Sequence, residues 1–390
     1  MVAATFHEFN APASVVTGAG VITQLAVYAQ RFHAKKVLLV TDAYLVRTGL
    51  IANVSEALSA ENIESFIFSG VQPDPTVRNV EAGLRIFRDS QADLIVAIGG
   101  GSPIDASKAI AVLANNDAPL SEYAGYHKIP NTGVPLIVIP TTAGTGSEAT
   151  KVAVITDEER HVKMMILDRH LMPTIALIDF ELTLSMPPAL TAYVGVDTLT
   201  HGIEAYVSRK ANRMTDPIAL SCIGLVSRHL VSAWENPGDR EAREGMSVAA
   251  CQGGMAFTNS SVCLVHGMSR PLGALFHLAH GLSNAVLLPA VTRFSLPGSL
   301  SRYANVSRTM GLADSKDSDQ NAAEKLIAGL ESLNEKLKIP RLRHCLEMDE
   351  KEFWNVLDKM AKDALASGSP QNNPVVPSHD EIVKLYREAW

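Results

Sequence analysis

Residues 93–109 read DLIVAIGGGSPIDASKA, in which an apolar strand leads through a glycine-rich turn into a helix. The three glycines allow the backbone to approach a ligand closely, and Pro103 suits the first turn of a helix. Backbone N–H groups at the start of that helix could bind a pyrophosphate. The turn departs from the G-x-G-x-x-G fingerprint because position 104 is Ile, so a tight structural turn is an equally good interpretation.

A second donor-rich turn strengthens the prediction of a nucleotide site. The strand-like run PLIVIP at 135–140 leads into TTAGTGSE at 141–148. In an open α/β sheet, ligands bind beyond the carboxyl ends of the strands. Asp42 follows another such run, KVLLVT at 36–41, and its carboxylate could bind a ribose diol and repel a 2′-phosphate. This arrangement favours NAD over NADP, although helix capping by these polar residues is the simpler alternative.

The order of apolar runs predicts two domains. Up to about residue 185, strand-like runs alternate with helix-like stretches, which indicates a mostly parallel sheet covered by helices. The runs at 151–156 and 162–167 resemble an antiparallel hairpin added to that sheet. Helical periodicity dominates after SMPP at 185–188. We therefore predict an α/β dinucleotide-binding domain over 1–185 and an all-α domain over 186–390.

Four residues of the second half form a candidate metal site. Asp197 and His201 are four residues apart, on one face of a helix. His266 and His280 are 280 − 266 = 14 residues apart, which is about 21 Å in an unbroken helix. Because metal–nitrogen bonds are roughly 2 Å, both can bind one ion only if the helix breaks between them.

Pro271 and Gly273 predict where that break lies. We expect a helix ending near Arg270, a turn, and a second helical segment that carries His280. Three neutral imidazoles and one carboxylate suit a divalent transition metal, which need not be zinc because no Cys takes part.

Bulk properties exclude several other classes of protein. The 390 residues, of which 47% are hydrophobic, suffice for two globular domains. A net charge of −7 without a basic stripe argues against a nucleic-acid partner. We expect no signal peptide and no membrane span, because neither an n-region with an h-region nor a run of eighteen apolar residues is present. Four Cys without a CxxC pair favour a reduced, cytoplasmic protein.

Together these segments resemble the iron-dependent (group III) alcohol dehydrogenases over nearly the whole chain. GGGSPIDASKA and PTTAGTGSEAT look like that family's cofactor turns, while GVDTLTHGIEAY and VHGMSRPLGALFHLAHGLSNAVLLP look like its metal-binding segments. The resemblance implies a dehydroquinate synthase-like architecture with the active site in the cleft between the domains. It also implies NAD as cofactor, a homodimer or larger homo-oligomer, and Fe²⁺, with Zn²⁺ or another divalent metal as alternatives. The implied metal ligands are Asp197, His201, His266 and His280.

The resemblance further implies a set of cofactor contacts. Asp74 lies in Pro73-Asp74-Pro75, where the family often has Pro-Asn-Pro, so one polar contact differs. Lys163 matches a lysine near the nicotinamide ribose. The implied cofactor-binding residues are Asp42, Asp74, Gly99, Gly100, Gly101, Ser102, Asp105, Thr141, Thr142, Thr145 and Lys163.

Arg270 is the largest departure from the family pattern, which usually has a second His there. Four residues after His266 on a helix, Arg270 would face the same side. A guanidinium binds carboxylates, phosphates or sulfonates in a fork. We hypothesise that Arg270 favours an anionic substrate or contacts the cofactor phosphates; an ion pair with a nearby acid is the alternative. His277 could be a substitute ligand or a proton relay, but a surface residue is the simplest interpretation.

These residues predict reversible hydride transfer between NAD and a small primary alcohol/aldehyde pair. The metal would act as a Lewis acid, and the protein would align the nicotinamide with the substrate. The alternatives are a glycerol-type dehydrogenase, a dehydroquinate-synthase-like lyase that regenerates its NAD, and a metal-dependent hydrolase. A non-catalytic binding protein gives no reason for one Asp and three His to converge.

Overall fold

The computed structural model describes residues 6–160 and 162–390, which form two compact units. Asn10–Leu184 is an α/β unit, and Ser185–Trp390 is a helical unit to which residues 6–9 also belong. The predicted fold class, a mostly parallel sheet with helices followed by a large helical part, is confirmed.

The α/β unit contains nine strands and five helices among its described residues. Strands β1 to β9 are, in chain order, Ser14–Thr17, Lys36–Val40, Glu64–Phe68, Leu94–Gly99, Gly125–Tyr126, Leu136–Pro140, Val152–Asp157, Val162–Leu167 and Ile175–Ile178. Helices α1 to α5 are Leu25–Gln30, Ala43–Arg47, Leu50–Ala60, Val77–Ser90 and Gly101–Leu113.

The main sheet has the order β1-β9-β6-β4-β2-β3, and all its strands are parallel. Every residue of β4 and β6 is buried, as expected for central strands covered on both faces. The register pairs Gly99 with Pro140, so the glycine-rich and threonine-rich turns leave the sheet side by side. The sequence reading missed β1, which is four residues long and only partly buried.

The predicted hairpin forms, but its place in the sheet was predicted wrongly. β7 and β8 are antiparallel, and β8 pairs with β5 in a separate three-stranded sheet. The physical reason lies at β7, where the Val154 N–H donates to Asp105 Oδ2 of α5 over 2.9 Å. This contact joins residues 49 positions apart, so no local pattern predicts it.

The helical unit contains nine helices among its described residues. Helices α6 to α14 are Pro188–Val207, Asp216–Glu235, Arg240–Thr258, Leu264–Phe276, His280–Ser295, Leu300–Thr309, Asp319–Lys336, Glu350–Ala366 and His379–Ala389. Within the part of the chain that the structure describes, one helix, α7, has the length and composition of a membrane span, with a mean hydropathy of 1.2. It packs against α6 and α8, and the core helix of a bundle meets the same criterion.

The break between His266 and His280 lies later than predicted. α9 continues through Pro271 to Phe276, and the chain turns at residues 277–279 before α10 begins at His280. Pro271 removes the N–H that would bond to the Gly267 carbonyl, but packing overrides this local cost because every residue of α9 from Leu264 to Leu272 except Arg270 is buried. His277 ends the helix in the left-handed region, with φ of 53°, and donates its N–H to the Gly273 carbonyl.

Candidate metal centre and nucleotide-binding turns

Three helices bring the four predicted ligands together. α6 carries Asp197 and His201 one turn apart, α9 carries His266, and α10 begins with His280. Asp197, His201 and His266 are buried, whereas the His280 side chain is half exposed. Asp197 Oδ1 lies 3.9 Å from His201 Nε2, 3.6 Å from His266 Nε2 and 3.8 Å from His280 Nε2.

These separations are close to those that a bound ion imposes. Tetrahedral ligands with bonds of 2.0–2.2 Å lie about 3.3 to 3.6 Å apart. The three distances from the Asp197 oxygen exceed these values by only a few tenths of an ångström, and the ligand atoms of Asp197, His201 and His266 all lie within 4.8 Å of one another. One anionic oxygen and three nitrogen donors also have the chemistry that divalent transition metals prefer. The residues present thus fit the predicted metal.

Glu204 supports His266 from behind, and the sequence reading missed it. Its Oε2 accepts from His266 Nδ1 at 2.6 Å and from Cys263 N at 2.8 Å, while its Oε1 accepts from Val265 N at 2.7 Å. Glu204 thereby fixes both the start of α9 and the orientation of the imidazole, leaving Nε2 to face Asp197. Its place three residues after His201, on the same side of α6, is the signal that could have revealed it.

Burial and neighbouring charges shift the pKa values of the side chains at this centre in opposite directions. Burial alone would lower the pKa of His266, but the carboxylates of Glu204 and Asp197 outweigh it and raise the pKa to about 9. Burial would likewise raise the pKa of Asp197, yet His201, His280 and His266 together hold that pKa well below its usual range. The site therefore carries a buried carboxylate anion that needs positive charge around it.

Asn284 is the second residue that the sequence reading missed. It lies four residues after His280 on α10 and is fully buried. Its Nδ2 is 2.6 Å from Asp197 Oδ1, 3.1 Å from His266 Nε2 and 3.2 Å from His280 Nε2. The i, i+4 relation to His280 places both side chains on one face and could have predicted this contact.

In the α/β unit, the two predicted nucleotide-binding turns pack directly against each other. A Cβ at Gly100 would lie 3.3 Å from Thr142 Oγ1, and one at Gly101 would lie 3.0 Å from Thr145 Cγ2. Gly99 has φ of +152°, and a Cβ there would lie 2.6 Å from Pro103 Cγ. Side chains are therefore excluded from the turn. The first N–H groups of α5, at Gly101 and Ser102, have no partner within the helix and can face a phosphate.

Sequence profiles identify the family from both units. The profile described as iron-containing alcohol dehydrogenase matches residues 12–180, and its C-terminal counterpart matches residues 191–390. The chain belongs to the iron-containing alcohol dehydrogenase family. It is an oxidoreductase that acts on CH–OH donors, which removes the lyase and the hydrolase from the alternatives.

Three relatives show the breadth of this family. The chain is 38% identical to an NAD-dependent methanol dehydrogenase from Bacillus methanolicus, over 98% of this chain and 99% of the relative. The solved structure of a 1,3-propanediol oxidoreductase is 36% identical, with a TM-score of 0.95 over 99% of this chain and 100% of the other. A sulfoacetaldehyde reductase from Bifidobacterium kashiwanohense, solved in complex with NAD+, is 27% identical, with a TM-score of 0.88 over 99% of both chains.

Several predicted cofactor contacts of this family member already have protein partners. Asp42 caps α2, because its Oδ1 accepts from Leu45 N at 3.0 Å. Asp74 Oδ1 pairs with Lys163 Nζ at 2.7 Å, and both side chains are partly exposed to solvent. Asp42 therefore caps a helix, as the simpler interpretation of the sequence predicts. Capping uses one carboxylate oxygen and leaves the second available for a ribose. Their roles toward the cofactor stay predictions.

Asp105 belongs to a buried polar cluster beside the threonine-rich turn. Its Oδ1 accepts from Ser147 Oγ at 2.6 Å, and its Oδ2 is used by Val154 N. Lys108, which the sequence reading missed, donates to Ser147 Oγ, Thr150 Oγ1 and the Val152 carbonyl. Burial lowers the pKa of Lys108 to about 8, although Asp105 opposes it. The cluster ties α5 to β7 and supports the turn from inside the protein.

Arg270 and His277 lie near the ends of helices. Arg270 Nη1 donates to the carbonyl of Ser367, the residue that caps the C-terminus of α13, over 3.3 Å. A cation is favourable at that end of a helix. His277 is exposed and caps α9 in the left-handed conformation. Neither predicted role, toward an anionic substrate or toward a proton, is decided by these contacts.

Proposed function

We propose that this chain is a metal-dependent, NAD(H)-linked dehydrogenase that interconverts small primary alcohols and aldehydes. The observation that carries the proposal is the convergence of Asp197 with His201, His266 and His280 in a member of this family. The names of the relatives, which act on methanol, 1,3-propanediol and sulfoacetaldehyde, support a small substrate. The expected cytoplasmic homodimer or larger homo-oligomer stays a prediction.

Asp197, His201, His266 and His280 would hold Fe²⁺, or Zn²⁺ or another divalent metal. When bound, the ion supplies a Lewis acid that stabilises alkoxide character on the reacting oxygen. Asp197 contributes one negative charge and so lowers the positive charge that the ligand set presents to substrate. Glu204 keeps the His266 Nδ1 proton in place, so that Nε2 remains the donor atom.

The turns of the α/β unit would hold the dinucleotide. NAD supplies the hydride acceptor, and the protein supplies binding and orientation. Gly99–Gly101 and the start of α5 would bind the pyrophosphate, with Ser102, Thr141, Thr142 and Thr145 alongside. The Asp42 carboxylate would accept hydrogen bonds from the ribose and repel a 2′-phosphate, which supports NAD over NADP.

A substrate and cofactor panel tests this proposal. Purified protein of measured metal content is assayed with neutral and anionic primary alcohols and aldehydes, each with NAD(H) and NADP(H). We expect NAD-linked turnover that a chelator abolishes and a divalent metal restores. Full activity in chelator-treated, metal-free protein would contradict the metal role, and turnover with NADP(H) alone would contradict the choice of cofactor.

Arg270 decides whether the substrate class extends to anionic aldehydes. If its guanidinium binds the anionic group, Arg270→His lowers kcat/KM about tenfold for anionic aldehydes, a loss of about 1.4 kcal/mol, and leaves neutral aldehydes unchanged. Equal kcat/KM changes for both classes would mean that Arg270 acts through the end of α13. Thermal denaturation of Arg270→His measures how much the contact with the end of α13 contributes to stability.

A further inference from the structure

The Asn284 carboxamide makes an unusual set of contacts for a buried side chain. Its Nδ2 lies within 3.2 Å of three atoms, Asp197 Oδ1, His266 Nε2 and His280 Nε2. An amide nitrogen has only two hydrogens, and the two imidazole nitrogens can accept them only in the neutral form of each ring. Asn284 thus bonds to the ligand set as a group, with the shortest contact to the carboxylate.

The other end of the same carboxamide has no partner. Asn284 Oδ1 is buried, and no described residue donates a hydrogen bond to it. Leaving a buried acceptor unsatisfied costs about 1–3 kcal/mol. This oxygen would gain a partner in a second state that turns Oδ1 toward a cation.

The lone pair on His266 Nε2 indicates that binding of a cation would produce this second state of the Asn284 side chain. His266 Nδ1 is engaged by Glu204, so Nε2 is the remaining atom that can bind either Asn284 or an ion. A cation binds the neutral imidazole, in which Nε2 has one lone pair once Nδ1 carries the proton. Nε2 cannot accept from Asn284 and bind a cation at the same time. Any cation held by His266 and His280 must displace the Nδ2 hydrogen bonds.

We propose that Asn284 is a two-state positioning residue of the metal centre. Without an ion, Nδ2 takes the place of positive charge between Asp197 and the imidazoles and keeps their atoms at the spacing of a metal site. With an ion, a half-turn of the carboxamide exchanges its ends and presents Oδ1 to the centre. Amide carbonyl oxygens are ordinary ligands of divalent cations. This inference rests on the metal site of the proposed function.

Replacing Asn284 by a residue of the same shape distinguishes the metal-free from the metal-bound state of this side chain. Asn284→Asp keeps the shape, removes the donor that competes with the ion, and adds an anion beside Asp197. We expect the metal-free variant to have a lower Tm than the metal-free wild type. We expect its metal dissociation constant, measured by chelator competition, to fall about tenfold. The ligand-field spectrum of the Co²⁺-loaded protein should also change.

Asn284→Ala and Asn334→Ala provide the matched variants. Asn284→Ala should lower the Tm of the metal-free protein more than that of the loaded protein, because only the metal-free state uses Nδ2. Asn334 donates its Nδ2 to the Ala285 carbonyl of the same helix but to none of the ligand atoms, so its variant should lower both Tm values equally.

The outcomes distinguish this inference from the proposed function. Suppose that wild-type protein binds metal and that both Asn284 variants have its metal dissociation constant and its Co²⁺ spectrum. If each variant also lowers the Tm of the metal-free and the metal-loaded protein equally, Asn284 has a packing role and the inference is wrong. Wild-type protein that binds no divalent metal overturns the metal site itself, and this inference with it. An Asn284→Asp variant that folds only with metal supports the inference.

Discussion

The candidate metal centre of the helical unit and the candidate nucleotide-binding turns of the α/β unit are built in opposite ways. In the helical unit, four side chains predicted from residue type and spacing point their ligand atoms at one another. In the α/β unit, the turn depends on backbone and on the absence of Cβ atoms, and the predicted polar residues Asp42, Asp74 and Asp105 already bond to the protein. A side-chain site can be recognised residue by residue, whereas a backbone site is recognised by its shape.

The largest expected effect follows from removing the only carboxylate of the predicted ligand set. Asp197→Ala should lose the metal and at least about a thousandfold in kcat/KM, or about 4 kcal/mol, because the ion stabilises developing charge. Metal analysis and steady-state kinetics measure the two losses together. Asp216→Ala is the control, since Asp216 pairs with Arg302 on the helical unit and not with the ligands. Full metal occupancy in Asp197→Ala would refute this ligand set.

The second prediction concerns the backbone site. Gly101→Ala places a Cβ 3.0 Å from Thr145 Cγ2, so the Thr145 side chain must shift by a few tenths of an ångström at the place where the two turns meet. We expect KM for NAD to rise about tenfold, equivalent to about 1.4 kcal/mol, while metal content stays unchanged. Gly224→Ala is the control, because its Cβ would lie 3.7 Å from its nearest neighbours. An unchanged KM for NAD would place the dinucleotide elsewhere.

Asp42 tests one polar contact at that site. Asp42→Asn keeps a residue that caps α2 well but removes the charge. The preference for NAD over NADP, as a ratio of kcat/KM values, should fall by about tenfold because repulsion of the 2′-phosphate is lost. Thermal denaturation should show little change, which confirms that capping is retained. A constant ratio would mean that Asp42 serves only as the cap.

The last prediction concerns the free energy of unfolding and not catalysis, at Glu148 in the threonine-rich turn. Burial raises the pKa of Glu148 from 4.5 to about 7, although Lys108 opposes it. Between these values the unfolded chain loses the proton while the folded protein keeps it. The free energy of unfolding should therefore fall as pH rises from 4.5 to 7, by at most about 3 kcal/mol, and then level off.

Glu148→Gln, which does not titrate, provides the reference for that measurement. The Tm of wild-type protein relative to Glu148→Gln should decrease across pH 4.5–7. Parallel Tm curves for the two proteins would show that Glu148 ionises in the folded state as it does in the unfolded state. Glu331→Gln serves as an exposed control, because Glu331 lies on the surface in an ion pair with Arg293.

The sequence allowed correct prediction of the parallel sheet, and the four candidate ligand side chains lie together as expected, because both follow from local patterns. Alternating apolar runs identify the strands, and the i, i+4 spacing identifies one face of α6. The turn between α9 and α10 was misplaced because Pro271 is a local signal that packing overrides, whereas His277 adopts a left-handed conformation that is uncommon for residues other than glycine. Residue type alone would place the turn at Pro271, because proline usually ends a helix.

The supporting residues were missed for a different reason. Glu204 and Asn284 acquire meaning only once α9 and α10 lie against α6, because their partners are 62 and 87 residues away in the chain. The hairpin was assigned to the wrong sheet for the same reason, since the Asp105–Val154 bond is nonlocal. Helical spacing from a predicted ligand would nevertheless have made Glu204 and Asn284 candidates, and this rule is simple to apply.

Anomalous diffraction from crystals of the metal-loaded protein tests the central claim most directly. Data collected on both sides of the absorption edge of the bound metal locate the ion without any assumption about its ligands. We predict one site per chain, with Asp197 Oδ1 and the Nε2 atoms of His201, His266 and His280 at about 2.0–2.2 Å. An ion bound elsewhere on the chain, or one that lacks Asp197 or two of these imidazoles, would contradict the account.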